Sequence, residues 1–160
     1  MNEETAKLYA WATARCARSE TCRADIRMAL ARRSVYGEAA DSLLDRLEDE
    51  GYIDEARYAR AFAHDRSRYD RWGRIKIGAA LRQKSIASSL INAALQTEID
   101  EAEYALTLRA LLAAKRRSVK ADTPEQLRQK LVRFAASRGF EADLIFQCID
   151  QLEETEEDKA

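Results

Sequence analysis

The sequence contains very little proline and glycine. Of its 160 residues one is proline and five are glycine, whereas alanine, leucine, arginine and glutamate dominate. Proline and glycine are the residues least compatible with a helix interior, and the four abundant types favour helices. The composition therefore predicts an all-α protein with short connections, large enough to bury a core as one domain or as several small packed units.

Long apolar runs are also missing. No run approaches the ~20 residues that a transmembrane helix needs, so we expect no membrane partner. The N-terminus is acidic and helix-like and shows no secretory signal. The three cysteines, Cys16, Cys22 and Cys148, lack metal-ligand spacing, and we expect them to be reduced and partly buried in a cytoplasmic protein.

Signatures of catalysis are sparse. His64 is the only histidine, it lies in a predicted helix, and no cysteine or serine stands beside it at catalytic spacing. There is no glycine-rich phosphate loop, no paired-carboxylate signature and no CxxC motif. The sequence therefore predicts no catalytic residue, no cofactor and no metal site, and we expect the protein not to be an enzyme.

The helical pattern repeats along the chain. Residues 53–59 (IDEARYA) and 99–105 (IDEAEYA) are near copies, 46 positions apart. A period near 50 predicts a stacked helical array of three three-helix repeats, at 4–51, 52–98 and 99–152. The alternative is one bundle whose amphipathic helices resemble each other by chance. Apolar pairs recur in the second helix of each repeat: Ile26 with Leu30, Ile77 with Leu81, and Leu127 with Leu131.

Several helix ends can be placed from local signals. Gly51 is suited to end a helix because it reaches positive φ easily, and Asp54 is placed to cap the helix that follows. Asp100 and Thr123 each begin a capping-box pattern, and Pro124 occupies a first helical position.

The charges are unevenly distributed although they sum to −1. Residues 66–84 hold seven bases and one acid, and residues 109–138 hold nine bases and two acids. Residues 141–158 hold eight acids and no base, and we expect 153–160 to form a frayed or disordered acidic tail. Arginine-rich helices interrupted by aromatic residues suit a phosphate backbone or an acidic protein groove. The alternative is the ordinary charged exterior of a helical protein.

The two basic blocks supply the candidate binding residues. These side chains lie mostly off the predicted apolar stripes, so reversing their charges should cost about half a kcal/mol of stability or less. Trp72, inside the first block, is either a surface contact residue or an aromatic side chain packed between repeats. The candidates are Arg68, Arg71, Arg74, Lys76, Arg82, Lys84, Lys115, Arg116, Arg117, Lys120, Arg128, Lys130 and Arg133.

Four segments along the chain, residues 23–30, 51–66, 76–86 and 130–140, together resemble the RecX family, bacterial regulatory proteins that modulate the RecA recombinase. Residues 23–30 resemble the family's S-R-x-E-L-x-x-K-L segment, and residues 51–66 resemble G-Y-L-D-D-x-x-F-A. Residues 76–86 resemble R-I-x-x-E-L-x-x-K-G-I, and residues 130–140 resemble the closing K-L-x-R-x-L…R-G-F. The resemblance covers about 7–152. The departures are Cys22 for a capping serine, whose role we expect Thr21 to take over, Ala29 for lysine, Ala80 for glutamate and Ser85 for glycine.

The resemblance implies a fold and a function. The implied fold is three tandem three-helix repeats in an elongated, curved all-α array. The implied function is non-enzymatic: binding the RecA filament on DNA and suppressing its recombinase, ATPase and coprotease activities in DNA repair and the SOS response. We expect a cytoplasmic monomer with weak direct DNA binding. The alternatives are a helical nucleic-acid-binding protein, or a helical-repeat adaptor for another partner, with no RecA role.

Overall fold

Every regular element of the described residues is an α-helix. The computed structural model describes residues 2–159, with the side chains of residues 2–157, and this range contains nine helices and no strand. The all-α prediction is confirmed. The helices are α1 (Glu3–Arg18), α2 (Arg23–Arg32), α3 (Gly37–Asp49), α4 (Glu55–Arg68), α5 (Arg74–Gln83), α6 (Ser88–Glu98), α7 (Glu101–Ser118), α8 (Pro124–Ser137) and α9 (Ala142–Lys159).

The helices form three successive triplets whose first members begin in the same way. Asn2, Asp54 and Asp100 stand before α1, α4 and α7, and each side chain accepts the amide three residues further on, at 2.7, 3.0 and 3.0 Å. These bonds satisfy amides that have no partner inside the helix. The predicted caps at Asp54 and Asp100 are confirmed, and Gly51 has the predicted positive φ, of 81°.

The middle helix of each triplet also ends in the same way. α2, α5 and α8 are each followed by a left-handed residue, Ser34, Ser85 or Gly139, with φ of 62°, 61° and 93°. The next residue donates its amide to the carbonyl five positions earlier, at 2.9, 3.2 and 3.2 Å, as in a Schellman motif. That next residue is the apolar Val35, Ile86 or Phe140.

This shared ending fixes the register between the repeats. The carbonyls that accept these amides belong to Leu30, Leu81 and Ala135, so these three positions are equivalent. Leu131 therefore matches Ile26 rather than Leu30, which corrects the pairing expected from sequence spacing. Helix α8 has 14 residues against 10 in α2, and its additional turn lies at its N-terminal end.

The N-terminus of α2 corrects another expectation. Cys22, and not Thr21, occupies the cap position, and the Cys22 side chain makes no capping hydrogen bond. The amide of Arg23 instead donates to the Glu55 carboxylate, at 3.3 Å. Burial raises the pKa of this Glu55, which fits a carboxylate drawn partly out of solvent.

The chain divides into two compact units. The first comprises 1–62 with 80–94, and the second comprises 63–79 with 95–160, so the helices α4, α5 and α6 contribute residues to both. Each unit has its own buried apolar side chains. In the first these include Ile26, Leu30, Leu44, Leu47 and Ile53, and in the second Ile77, Leu108, Leu112, Ile145 and Ile149.

Backbone contact joins α5 to α8 within the second unit. The amide of Gly73 donates to the carbonyl of Arg138 at 2.7 Å, and that of Ile75 donates to the carbonyl of Gly139 at 3.0 Å. A Cβ on Gly73 would lie 2.2 Å from the carbonyl carbon of Gly139, and one on Gly139 would lie 2.3 Å from the Cβ of Lys76. Both positions therefore require glycine for the two backbones to approach this closely.

The acidic end of the chain belongs to a helix. Helix α9 continues through residue 159, so the expected disorder of 153–160 is wrong for 153–159, and residue 160 lies outside the described residues. Arg128 pairs with Glu153 at 3.0 Å, and Arg116 pairs with Glu156. These basic partners offset the repulsion between neighbouring acids, which alone would favour a disordered tail.

Candidate binding surface

The thirteen candidate residues fall into two groups. Four of them, Arg74, Lys84, Arg116 and Arg128, form ion pairs with carboxylates of the protein itself. The other nine have no carboxylate partner within the part of the chain that the structure describes. These nine, called here the unpaired cations, are Arg68, Arg71, Lys76, Arg82, Lys115, Arg117, Lys120, Lys130 and Arg133.

Arg74 is an internal structural residue. Its guanidinium lies 2.7 Å from a Glu141 oxygen and 2.5 Å from a Glu101 oxygen, with Cζ 4.1 Å from the Tyr104 ring centre. The Tyr104 hydroxyl accepts the Arg74 amide at 2.9 Å and donates to Glu141. Burial opposes the charge of Arg74, but the two carboxylates outweigh it and raise its pKa. These pairs argue against the low stability cost expected from the sequence, and we now expect the reversal of Arg74 to cost more.

The other three paired cations also hold helices together. Arg128 binds Asp150 and Glu153, at 2.9 and 3.0 Å, and so links α8 to α9. Arg116 links α7 to α9, and only 20% of its side chain is exposed. Lys84, in the first unit, lies 2.5 Å from Asp25, and this bond raises the pKa of Lys84.

An open groove of about 450 Å³ lies at the junction of α4 and α5 in the second unit, and the acids Glu98, Asp100 and Glu103 line it beside two of the unpaired cations. Arg68 and Arg71 line it together with Trp72 and Leu106. Arg71 has a φ of 56°, a left-handed conformation that turns the chain between the helices. The Lys76 ammonium lies 4.5 Å from the Trp72 ring centre, so the aromatic ring and the cations form one local surface.

A second group of cations lies on the third repeat. Phe134 lies between Lys115 and Arg138, with ring-centre distances of 5.2 and 5.1 Å. Lys130 donates to the carbonyl of Lys120 at 2.5 Å, which holds the loop after α7 against α8. Arg138 was not among the candidates, although it ends the second basic block. The sequence signal that could have identified Arg138 was its position directly after Ser137, the last residue of α8.

No catalytic arrangement surrounds His64 in the described residues. Its Nδ1 lies 3.8 Å from a Glu98 oxygen. Among the described residues no group of three histidine, cysteine, aspartate or glutamate side chains could hold a metal ion. The cysteines are free thiols; Cys22 and Cys148 are buried, and burial raises the pKa of Cys22 to about 11.

None of the described helices is both long enough and apolar enough to cross a membrane.

Comparison with family models decides the family. The model described as the second three-helix domain of RecX matches residues 54–95, and the model of the third three-helix domain of RecX matches residues 102–149. Together these matches cover more than half of the chain. The chain belongs to the RecX family. In the structure, the first matched segment holds α4, α5 and most of α6, and the second holds nearly all of α7, all of α8 and the first part of α9.

Curated RecX proteins show the same relationship over most of their length. Regulatory protein RecX of Halorhodospira halophila is 35% identical over 133 residues, which are 81% of this chain and 78% of that protein. Regulatory protein RecX of Chlorobium phaeobacteroides is 32% identical over 133 residues, which are 83% of this chain and 85% of that protein. These relatives are named regulatory proteins, and this chain is likewise a RecX-family regulatory protein.

Solved RecX structures share the fold. A crystal structure of RecX from Lactobacillus salivarius matches with a TM-score of 0.81 at 19% identity, over 96% of this chain and 99% of that one. A second structure, of regulatory protein RecX, matches with a TM-score of 0.79 at 24% identity, over 92% and 74% of the two chains. The expected tandem three-helix repeats are confirmed.

Proposed function

We propose that this RecX-family protein binds the RecA filament on DNA and modulates it, mainly by inhibiting its recombinase, ATPase and coprotease activities. It acts as a cytoplasmic monomer and performs no chemical step. The observation that carries the proposal is the group of unpaired cations in the second and third repeats, because no carboxylate of the described residues neutralises their charges and several of them, such as Arg68, Arg71 and Arg117, are exposed.

The charges within the protein explain why these cations are available. The carboxylates of Glu101, Glu141, Asp150 and Glu153 already bind Arg74 and Arg128. The unpaired cations can therefore meet phosphates or carboxylates of a partner without first breaking an internal pair. A charge-assisted contact of this kind contributes about 1.5–3 kcal/mol when it is partly desolvated.

The surface near α4 and α5 has the character of a protein contact. Tyr69 is 71% exposed, Ile75 is 53% exposed and Leu106 is 59% exposed, and they accompany the cations Arg68 and Arg71. Aromatic residues and arginine are enriched in protein interfaces and at their energetic centres. We assign this surface to a protein partner, RecA.

Among the described residues of the third repeat, the exposed aromatic Phe146 lies beside the paired Arg128, whereas the unpaired Lys115 contacts only the half-buried Phe134. Lys115 and Arg138 are stacked on Phe134, and Arg117, Lys120 and Arg133 are exposed. Such a surface suits acidic groups or phosphates, which require charge more than apolar complementarity. Two weak contacts in one chain gain avidity on a filament that presents both protein and DNA.

The direct experiment measures RecA ATPase on single-stranded DNA with substoichiometric amounts of this protein. We expect the ATPase rate to fall, with a smaller fall for Arg68→Glu/Arg117→Glu. The control is Arg60→Glu, at an exposed α4 position outside the candidate set. An unchanged rate at saturating protein, together with binding to naked DNA, would replace the RecA role with the DNA-binding alternative.

A further inference from the structure

A groove of about 450 Å³ in the first unit is rich in basic side chains. It lies where the last turn of α1, the loop after it and helix α2 meet, and Lys84 closes one side. The charged residues that line it are the basic Arg15, Arg18, Arg32 and Lys84 and the acidic Glu20 and Asp25.

Both acids of this groove are already engaged. The carboxylate of Glu20 accepts from Arg57 Nε at 2.5 Å. The carboxylate of Asp25 accepts from Lys84 Nζ at 2.5 Å. Neither acid is therefore the partner of the groove's arginines.

The three arginines have no carboxylate within ion-pair distance in the described part of the chain. Arg15 lies 5.9 Å from the Trp11 ring centre, and all three side chains belong to exposed residues. A cation in the last turn of a helix is favoured by the helix dipole, and this accounts for each arginine separately. It does not account for the arrangement in which arginines from the ends of α1 and α2 line one groove.

We propose that this groove binds phosphate groups of a nucleic-acid strand, with Arg15, Arg18 and Arg32 as the ligands of the phosphate oxygens. Guanidinium groups match phosphate geometry through paired N–H donors. Ser19 and Thr21 also line the groove, and hydroxyl side chains are a second type that commonly contacts phosphates.

The lining favours a nucleic-acid backbone over a protein segment. Met28, which is 55% exposed, is the large apolar side chain that lines the groove. A protein segment would need apolar or aromatic anchors for affinity, whereas a phosphate backbone is held by charge alone. The three arginines lie outside the candidate residues for the RecA filament, so the site provides affinity for DNA without RecA.

The test measures binding of the full-length protein to a fluorescent oligothymidylate by anisotropy, without RecA and at several salt concentrations. The test variant is Arg18→Gln/Arg32→Gln. The control, Arg60→Glu, changes the net charge by the same −2 at an exposed position of the same unit outside the groove. Circular dichroism and the melting temperature establish that both variants are folded.

We expect the test variant to bind about tenfold to a hundredfold more weakly, and the control to stay within about threefold of the parent. The slope of log K against log salt should fall by about 1.4 in the test variant, because each phosphate contact on a single strand contributes about 0.7. Equal affinities and slopes for the parent and the test variant would overturn the proposal.

Two further measurements identify the ligand and remove the dependence on variants. Polyglutamate should not displace the oligothymidylate from the parent protein at matched charge, and displacement by it would assign the groove to an acidic protein instead. In the unmodified protein, the Nε–Hε resonances of Arg18 and Arg32 should shift on titration with the oligothymidylate. Resonances that stay in place while binding is observed would also overturn the proposal.

Discussion

Arg23 and Arg128 make the same forked ion pair, 105 positions apart. Arg23 binds Asp45 and Glu48, each at 3.0 Å. Arg128 makes the corresponding pairs in the third repeat, with carboxylates that stand 105 positions after those two. In both repeats the arginine lies on the second helix and the two carboxylates lie on the third, so the ion pairs link these two helices.

The second repeat lacks the carboxylates for this fork. Arg74 occupies the equivalent position, 51 after Arg23, but the places of Asp45 and Glu48 are taken by Gln96 and Ile99. Arg74 therefore pairs with Glu101 and Glu141, at 2.5 and 2.7 Å. The arginine is retained as a structural residue while its partners come from α7 and from the turn before α9.

Replacing Arg74 should destabilise the protein. Arg74→Ala removes two charge-assisted contacts of a side chain that is 21% exposed and leaves Glu141 without its cation. We expect the free energy of unfolding in urea to fall by about 1–3 kcal/mol. Arg68→Ala, at an exposed position without a carboxylate partner, should change it by about half a kcal/mol or less. Equal values for the two variants would show that the Arg74 pairs contribute nothing.

Glycine at position 85 should stabilise the protein. Ser85 has a φ of 61°, a conformation that costs a residue with a Cβ about 1 kcal/mol or more. Ser85→Gly removes that cost but adds chain entropy to the unfolded state, so we expect a net gain of about 0.5 kcal/mol in urea unfolding. Ser89→Gly, inside helix α6, should instead lose up to about 1 kcal/mol. A loss at both positions would refute the conformational explanation.

Local signals predicted much of the fold. The caps at Asp54, Asp100 and Thr123 depend on residues within three positions of each helix start, and the structure contains all of them. The role of Arg74 depends on Glu141, 67 positions away, and no local pattern reports such a pair. The helical path of α9 also depends on distant partners, because Arg116 on α7 binds its acidic end.

The candidate site was predictable only in part, for the same physical reason. Counting charges along the chain finds the two basic blocks, but it cannot tell a paired cation such as Arg128 from an exposed one such as Arg117. It also misses the first-unit groove, because Glu20 and Asp25 lie among its arginines in sequence. Only the folded chain shows that those acids bind Arg57 and Lys84 instead.

The thiols should differ in reactivity. Cys22 is fully buried and its pKa is raised to about 11 by burial, so it should resist a maleimide at pH 8 in the native protein. Cys16 is only half-buried and should react first. Mass spectrometry should find three labelled thiols in urea and fewer without it. Rapid native labelling of Cys22 would contradict the buried position.

The raised pKa of Cys22 also predicts a pH dependence. The folded state favours the neutral thiol of Cys22. The contribution of this thiol to the stability of the fold is therefore complete below the ordinary thiol pKa of about 9, and it is lost as pH rises through about 11. Between about pH 8.5 and about pH 11, the free energy of unfolding should therefore fall less in Cys22→Ala than in the parent protein. Urea unfolding at the two pH values measures the difference, and parallel losses would mean that other groups dominate.

Deleting the end of α9 should lower stability slightly and expose a cation. Removing residues 155–160 eliminates the pair between Glu156 and Arg116, and we expect the free energy of unfolding to fall by about 1 kcal/mol, because Glu156 is 62% exposed. The control, Glu154→Gln/Glu157→Gln, removes the same net charge of two without removing a pair seen in the described residues. Only the deletion breaks the pair of Arg116, so only the deletion should lower the free energy of unfolding beyond the general effect of charge. Equal free energies of unfolding for the deletion and the control would show that this pair contributes nothing.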